Sequence, residues 1–333
     1  MATPVNAVST ALIKGQREDL IDIIYNIDPF DTPFMSAIGK GTAEAITHQW
    51  QTDDLRAPAL NTQIEGNDAT INAGTFTTMA DNICQIVSET LQVTGTAERV
   101  KKAGRKSELA YQIAKKGKEI KLDMEFMLVG TPLAKVARSS SVAGQSGNIY
   151  SYYKTNGSLG ATGVAPTGNG VNTGTAGTQR VLTEAMILDA SEKIWIEGGK
   201  ANTIHTSSSL KKHISKNFKG RATDIQLDSS NSTIAQAVDV YECDFGKYNI
   251  VANRWFKADA LFMFDPKMHS LCFLRPFVQF PLAKTGDSEK RQMLAEYTFR
   301  VNNEKSGALI RDCLLYTSPS PRDRTRSRMP SSA

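Results

Sequence analysis

Cysteine is scarce in this chain: Cys84, Cys243, Cys272 and Cys313 are spread widely over 333 residues. None forms a Cys-x-x-Cys pair, which argues against a structural zinc site or a disulfide framework and for free thiols in a reducing compartment. Histidine is equally sparse, with His48, His205, His213 and His269 alone. No His-Glu-x-x-His pair is present, and these side chains read as ordinary surface or core histidines rather than metal ligands. No run approaches the ~18 consecutive apolar residues that a membrane span needs. The opening Met1-Ala2-Thr3-Pro4-Val5 lacks the basic and apolar regions of a secretory signal. There is no G-x-S-x-G elbow and no Walker-type phosphate loop. Charge of one sign is also lacking. The net charge is +5, and Arg322, Arg324, Arg326 and Arg328 against Asp323 hold +3 of it, leaving +2 for the rest. That balance does not make nucleic-acid binding the main task.

Weak motif matches have plainer readings. Asp244-Phe245-Gly246 matches the kinase metal-binding tripeptide without its flanking signatures, and reads as a hairpin turn. Asp228-Ser229-Ser230-Asn231 lacks the Gly and the final Glu of a calcium loop. Asn156-Gly157-Ser158 and Asn231-Ser232-Thr233 are sequons without meaning outside a secretory pathway.

What is present is an ordinary soluble composition, 40% hydrophobic and 22% charged, in a chain long enough for about two domains and a sizeable core. Leu20, Ile21, Ile24 and Ile27 recur at helical spacing until Pro29 and Pro33 break the pattern. Phe30, Phe34, Met35 and Ile38 follow in a segment too short to make its own core, which must dock on this chain or on a neighbour. Between 43 and 95, two β-prone stretches flank a polar middle, predicting a long projecting hairpin. A two-stranded hairpin is marginal alone in water and needs a partner surface.

The clearest helix is predicted over 97–130, where Leu109, Ile113, Gly117, Ile120, Met124 and Met127 share a face. Its other faces are dense in Lys and Arg, which invites a DNA-binding reading, but acids are interleaved and favour a solvated face with ion pairs. Residues 139–178 are rich in Gly, Ser, Thr and Asn and read as a long surface loop, without the spacing of a phosphate cradle. Beyond it lie a helix from Val181 to Glu197 stopped by Gly198-Gly199, a strand from Asn202 to Thr206, a second helix capped by Ser208 and a hairpin around Gly246. Further strands are predicted at Ala260–Phe264 and Leu271–Phe280. A last, half-buried strand alternates Met293, Ala295, Tyr297, Phe299 and Val301 with polar positions.

Several strings, in order, resemble the major capsid proteins of tailed double-stranded DNA bacteriophages. They are Arg17-Glu18-Asp19-Leu20, Asp31-Thr32-Pro33-Phe34, Ile38-Gly39-Lys40 and His48-Gln49-Trp50-Gln51-Thr52-Asp53. Further on come Ala237-Val238-Asp239-Val240-Tyr241, Leu274-Arg275-Pro276-Phe277, Leu282-Ala283-Lys284-Thr285-Gly286-Asp287, Glu296-Tyr297-Thr298 and Asn303-Glu304-Lys305. The resemblance covers about residues 10–312 and implies an α+β, Hong Kong 97-like capsid fold. It implies an N-terminal arm at 1–42, an extended loop at 43–95, a peripheral domain at 96–138 and 261–312, and an axial domain at 139–260. It also implies a structural protein without catalytic residue, cofactor or metal, assembled in a bacterial host's cytoplasm into hexamers and pentamers of a shell.

Its implied partners are further copies of itself, scaffold, portal and decoration proteins, and packaged DNA held non-specifically on the inner face. Candidates for inter-subunit contact are Arg17, Phe30, Asp31, Phe34, Ile38, Trp50, Phe76 and Arg275. Alternatives are an encapsulin-type shell around enzyme cargo and a nucleic-acid-binding protein using the basic helix. Some relatives of this fold cross-link subunits from a loop lysine, but residues 43–95 contain no lysine. The stretch 313–333 departs from the family. It resembles translated adapter sequence, the alternative being a basic tail on packaged DNA, and is expected to take no part in the fold.

Overall fold

The long helix starts later than periodicity suggests. In the structure, a computed structural model that describes residues 30–68, 74, 76–218 and 239–314, a short helix α2 (Gly95–Arg99) is separate from the spine helix α3 (Glu108–Val129). Gly104 lies between them at φ 75°, a backbone conformation that suits glycine and breaks helical propagation. Ser107 then caps α3, its side chain accepting from the Ala110 amide at 3.1 Å. Glu98 at the end of α2 accepts from the Glu108 and Leu109 amides, so its carboxylate also satisfies free donors of the first turn. Only the C-terminal half of α3 is deeply buried, through Ile120, Met124, Glu125, Leu128 and Val129.

That face covers a four-stranded sheet of order β1-β9-β10-β4. Its strands are β1 (Gly39–Thr42), β4 (Gln85–Thr94), β9 (His269–Pro281) and β10 (Ser288–Val301). β1 runs parallel to β9, and the other pairs are antiparallel. Ahead of β1, the single-turn helix α1 (Pro33–Ala37) carries Phe34 into the core. There the ring lies 5.3–6.4 Å, centroid to centroid, from His205, Phe262, Phe264, His269 and Phe299. Phe34 and Ile38 are therefore not inter-subunit contacts, as expected from the sequence, but core residues of their own chain. The reason is nonlocal: a short apolar segment finds its core through β1 pairing with a strand some 230 residues away in sequence.

The second sheet has five strands in the order β11-β8-β5-β7-β6. They are β5 (Thr203–Thr206), β6 (Val240–Cys243), β7 (Gly246–Ala252), β8 (Leu261–Phe264) and β11 (Ala308–Ile310). The helices α5 (Glu184–Ile196) and α6 (Ser208–Asn217, capped by Ser207 rather than Ser208) share its core. Asp244 and Phe245 form the β6–β7 turn, as the hairpin reading required. Strands β8 and β11 were grouped by sequence with the spine helix. Instead they pair into this second sheet, because Leu261 to Phe264 alternates between both cores: Phe262 and Phe264 face one, Leu261 and Met263 the other.

Residues 139–178 are not simply a surface loop. Ser146 to Tyr153 are buried, with a one-turn helix α4 (Ile149–Tyr152). Three tyrosines bury their rings and place their hydroxyls: Tyr150 donates to the Val129 carbonyl and Tyr152 to the Asp81 carbonyl, each at 2.8 Å, while Tyr153 bonds His269. The glycines beyond pack backbone against backbone. A Cβ on Gly160 would lie 2.0 Å from the Thr178 carbonyl oxygen. The Asp312 carboxylate accepts from the Gly160 and Gly177 amides at 3.0 and 2.9 Å, so these N–H groups hold a side chain of the protein itself. Cys313, assigned to the tail by sequence, is buried in the second core, and its amide donates to the Asp259 carbonyl. The fold therefore extends at least to Leu314, which bonds the Arg180 carbonyl.

Candidate assembly surface

One element has no core of its own. Strands β2 (Thr47–Thr52) and β3 (Thr78–Ile83) pair antiparallel, Thr47 opposite Ile83 and Thr52 opposite Thr78, as an isolated two-stranded sheet. Its base is anchored. Trp50 leans on Tyr152, Lys135 pairs with Asp81 at 2.7 Å, and Asn82 donates to the Phe299 and Gly147 carbonyls. Asp54, just beyond β2, also pairs with Lys305 at 3.1 Å, but the apolar side chains farther out are open. Leu55 is 99% exposed, Leu60 98%, Ile64 82% and Phe76 92%. Single exposed apolar residues are common, but four such side chains on one projecting segment mark an interaction surface. The expected loop at 43–95 is thus a hairpin at 47–83, and β4 behind it belongs to the first sheet.

The remaining contact candidates are dispersed. Phe76 sits on the hairpin and Trp50 at its base, half-buried within the chain. Phe30 lies beneath the Lys118 ammonium, 5.4 Å from nitrogen to ring centroid, at the edge of α3. Asp31 pairs with Arg254 at 3.5 Å, and its carbonyl accepts from the Trp255 indole. Arg275 bonds Glu296 at 2.7 Å, while about half of its side chain remains exposed. Arg17 lies outside the described residues, as does the helical pattern of Leu20 to Ile27.

Besides Asp312, two buried carboxylates have no clear signal in the local residue pattern. Glu296 was counted as a solvent-side position, yet it is 3% exposed and bridges Arg138 and Arg275 at 2.6 and 2.7 Å. Burial works against its charge, but the two guanidinium bonds outweigh that cost and hold its pKa below the ordinary range. It sits where the β9–β10 register shifts, and Arg138 also reaches the Cys84 carbonyl, so the cluster braces the sheet where the hairpin returns.

Glu125 lies beside Met124 on the buried face of α3. It accepts from the Phe34 and Met35 amides at 2.9 and 2.8 Å and from the Asn253 amide group at 2.6 Å. Burial raises its pKa against the pull of those donors. One carboxylate thus joins α1, the spine helix and the end of β7. The sequence signal for it was an acid one position from an apolar stripe.

Several of the basic residues along α2 and α3 are paired locally. Lys116 bonds Glu119 and Glu89 at 2.7 and 3.2 Å, Lys115 lies 4.0 Å from Glu119, and Arg105 bonds Glu108. Among the described residues no group of three His, Cys, Asp or Glu side chains could hold a metal ion, and no helix is long and apolar enough to cross a membrane. The buried histidines His205 and His269 serve the aromatic core, as Phe34 shows.

The profile of the SU10 major capsid protein family matches residues 4–313. The chain belongs to this family. The major capsid protein of Escherichia phage Phieco32 is 26% identical over 345 residues, covering 93% of this chain and 97% of that protein. The capsid asymmetric unit of cyanophage A-1(L) shares the fold at TM-score 0.62 and 12% identity, over 92% and 98% of the two chains. A solved structure of Mycobacterium phage Ogopogo does so at TM-score 0.56 and 10% identity, over 89% and 96%.

This SU10-family capsid protein therefore has the Hong Kong 97-like α+β fold, and it is a structural subunit of a phage head rather than an enzyme. Its place is the virion capsid, where it self-assembles into the shell. An enzyme-cargo compartment and a dedicated nucleic-acid binder both give way to that family assignment.

Proposed function

We propose that the subunit builds hexamers and pentamers by burying its projecting hairpin on a neighbouring copy. The observation that carries this is the near-complete exposure of Leu55, Leu60, Ile64 and Phe76 beyond a two-stranded sheet that joins no other sheet among the described residues. Burying each side chain contributes roughly 1.5–3 kcal/mol, so a few per subunit, repeated around a closed ring, are enough to drive assembly. In this reading the first sheet with α3 is the peripheral domain and the second sheet with α5 and α6 the axial domain. The N-terminal arm is residues 1–42, of which 1–29 lie outside the described residues. Phe30, Asp31 and Arg275, partly exposed at the edges, supply secondary contacts. Scaffold and portal proteins would act during assembly and decoration proteins on the finished shell, with packaged DNA held non-specifically inside.

The test is a triple variant, Leu55→Ser, Leu60→Ser and Phe76→Ser, expressed alongside the parent protein. The subunit should unfold at the parental temperature, because none of these side chains touches a core, yet negative-stain microscopy should show neither shells nor capsomers. Normal shells from the variant would overturn the proposal.

A further inference from the structure

The second sheet carries an open cleft of about 540 Å³ between the end of α5, the β6–β7 turn and the turn that leads into β9. Two features set it apart from the remaining surface. Its rim bears Trp195, 62% exposed, whose ring lies 6.0 Å, centroid to centroid, from that of the half-buried Phe245. Around them are the exposed lysines Lys200, Lys247 and Lys267, none of which forms an ion pair with a described residue. The acid lining the cleft is Asp265, and one of its oxygens already accepts from the Lys267 amide. Glu197, at the end of α5, is bonded to Lys305, and Asp244 stands next to Phe245 in the turn but does not line the cleft. The lining thus carries a net charge of +2 beside an aromatic pair of which Trp195 is exposed.

We propose that this cleft binds a short acidic segment of another protein, anchored by one aromatic or large aliphatic side chain against Trp195 and Phe245. The volume lies within the range of sites that take a compact group. An exposed Trp in a concave site is the residue type that concentrates binding energy, and flanking lysines select an anionic partner and speed its encounter. Duplex DNA fits poorly, because it offers phosphates on a convex rod and hides its base faces inside the stack. A single strand could stack on Trp195, and so enters as a competitor in the test.

The experiment uses the full-length protein and a panel of short fluorescein-labelled peptides, Asp/Glu-rich with Trp, Leu or Ser at the centre, read by anisotropy. Trp- and Leu-centred peptides should bind saturably, more weakly as salt rises, and the Ser-centred ones about tenfold less tightly. Trp195→Ala should weaken binding about tenfold, and Lys247→Glu with Lys267→Glu by at least as much, with the thermal midpoint unchanged since all three side chains are on the surface. Absence of saturable binding across the panel, or binding that survives Trp195→Ala, would overturn the proposal. So would displacement of the peptide by oligothymidylate at concentrations lower than unlabelled peptide requires.

Discussion

Phe34 is the residue on which the subunit's own stability turns. It is fully buried against five rings drawn from both sheets, and the amide of the same residue is held by Glu125. Truncating such a ring leaves a cavity that rigid β-strands cannot close. Phe34→Ala should therefore cost the isolated subunit about 3–5 kcal/mol, visible as a lower denaturation midpoint before any assembly step. Unchanged subunit unfolding together with failed assembly would return Phe34 to an interface. The same core makes the protein acid-sensitive. Burial pushes His205 and His269 down to about 4, whereas an unfolded imidazole titrates near 6.5. Between those values the unfolded chain takes up protons that the folded one refuses. Stability is then full above about pH 6.5 and falls as pH drops toward 4, by up to about 3 kcal/mol per ring. Glu125 and Asp123 work in the opposite sense, their carboxyls raised by burial and favouring the fold on the acid side, while Glu296, held low by Arg138 and Arg275, adds to the loss of stability in acid. Thermal unfolding of the subunit followed across this window should show the midpoint falling steadily, and a flat profile would mean that the imidazoles are not held neutral by the fold.

At the scale of elements, the sequence speaks clearly wherever structure is made by neighbours in the chain. The β6–β7 hairpin turns where Gly246 predicted, α5 ends at Gly198 with φ 81°, and β10 buries Ala295, Tyr297, Phe299 and Val301 at alternate positions. Where partners are distant, the local pattern misleads. Tyr150, Tyr152 and Tyr153 lie in a stretch whose Gly, Ser and Asn content reads as loop, and only the carbonyls of Val129 and Asp81 and the ring of His269 make their burial affordable. β10 buries Glu296 and Thr298 as well as its apolar positions, because Arg138 and Arg275 arrive from other elements to neutralise Glu296. The hairpin was legible because two β-prone stretches flank a polar middle, a pattern made by neighbours in the chain. Phe34, placed by sequence at an interface, finds a core through pairing of β1 with β9 that no window around residue 34 contains. The buried carboxylates were illegible for the same reason: each is defined by donors from two separate parts of the chain, both distant from it in sequence.

For the whole molecule, the remaining question is whether the shell is held by covalent bonds. An isopeptide link needs a neutral lysine amine, desolvated and close to a partner's amide, with a base to take the proton. Residues 43–95 contain no lysine, and Lys40 and Lys101 lie well before and after the hairpin's two strands. A disulfide needs an accessible thiolate. Cys84, Cys272 and Cys313 are buried, and burial, with Glu296 nearby, pushes the Cys84 thiol up to about 11. Cys243, half-buried on β6, is the remaining thiol. On the proposed reading, the hairpin holds its neighbour by apolar burial and polar pairing, each weak singly and cumulative around a closed ring. Particles boiled in denaturant should run as monomer alone, with or without reductant. A ladder that resists reductant would show a covalent chemistry these side chains do not offer, and one that reductant abolishes would point to Cys243 rather than to the hairpin.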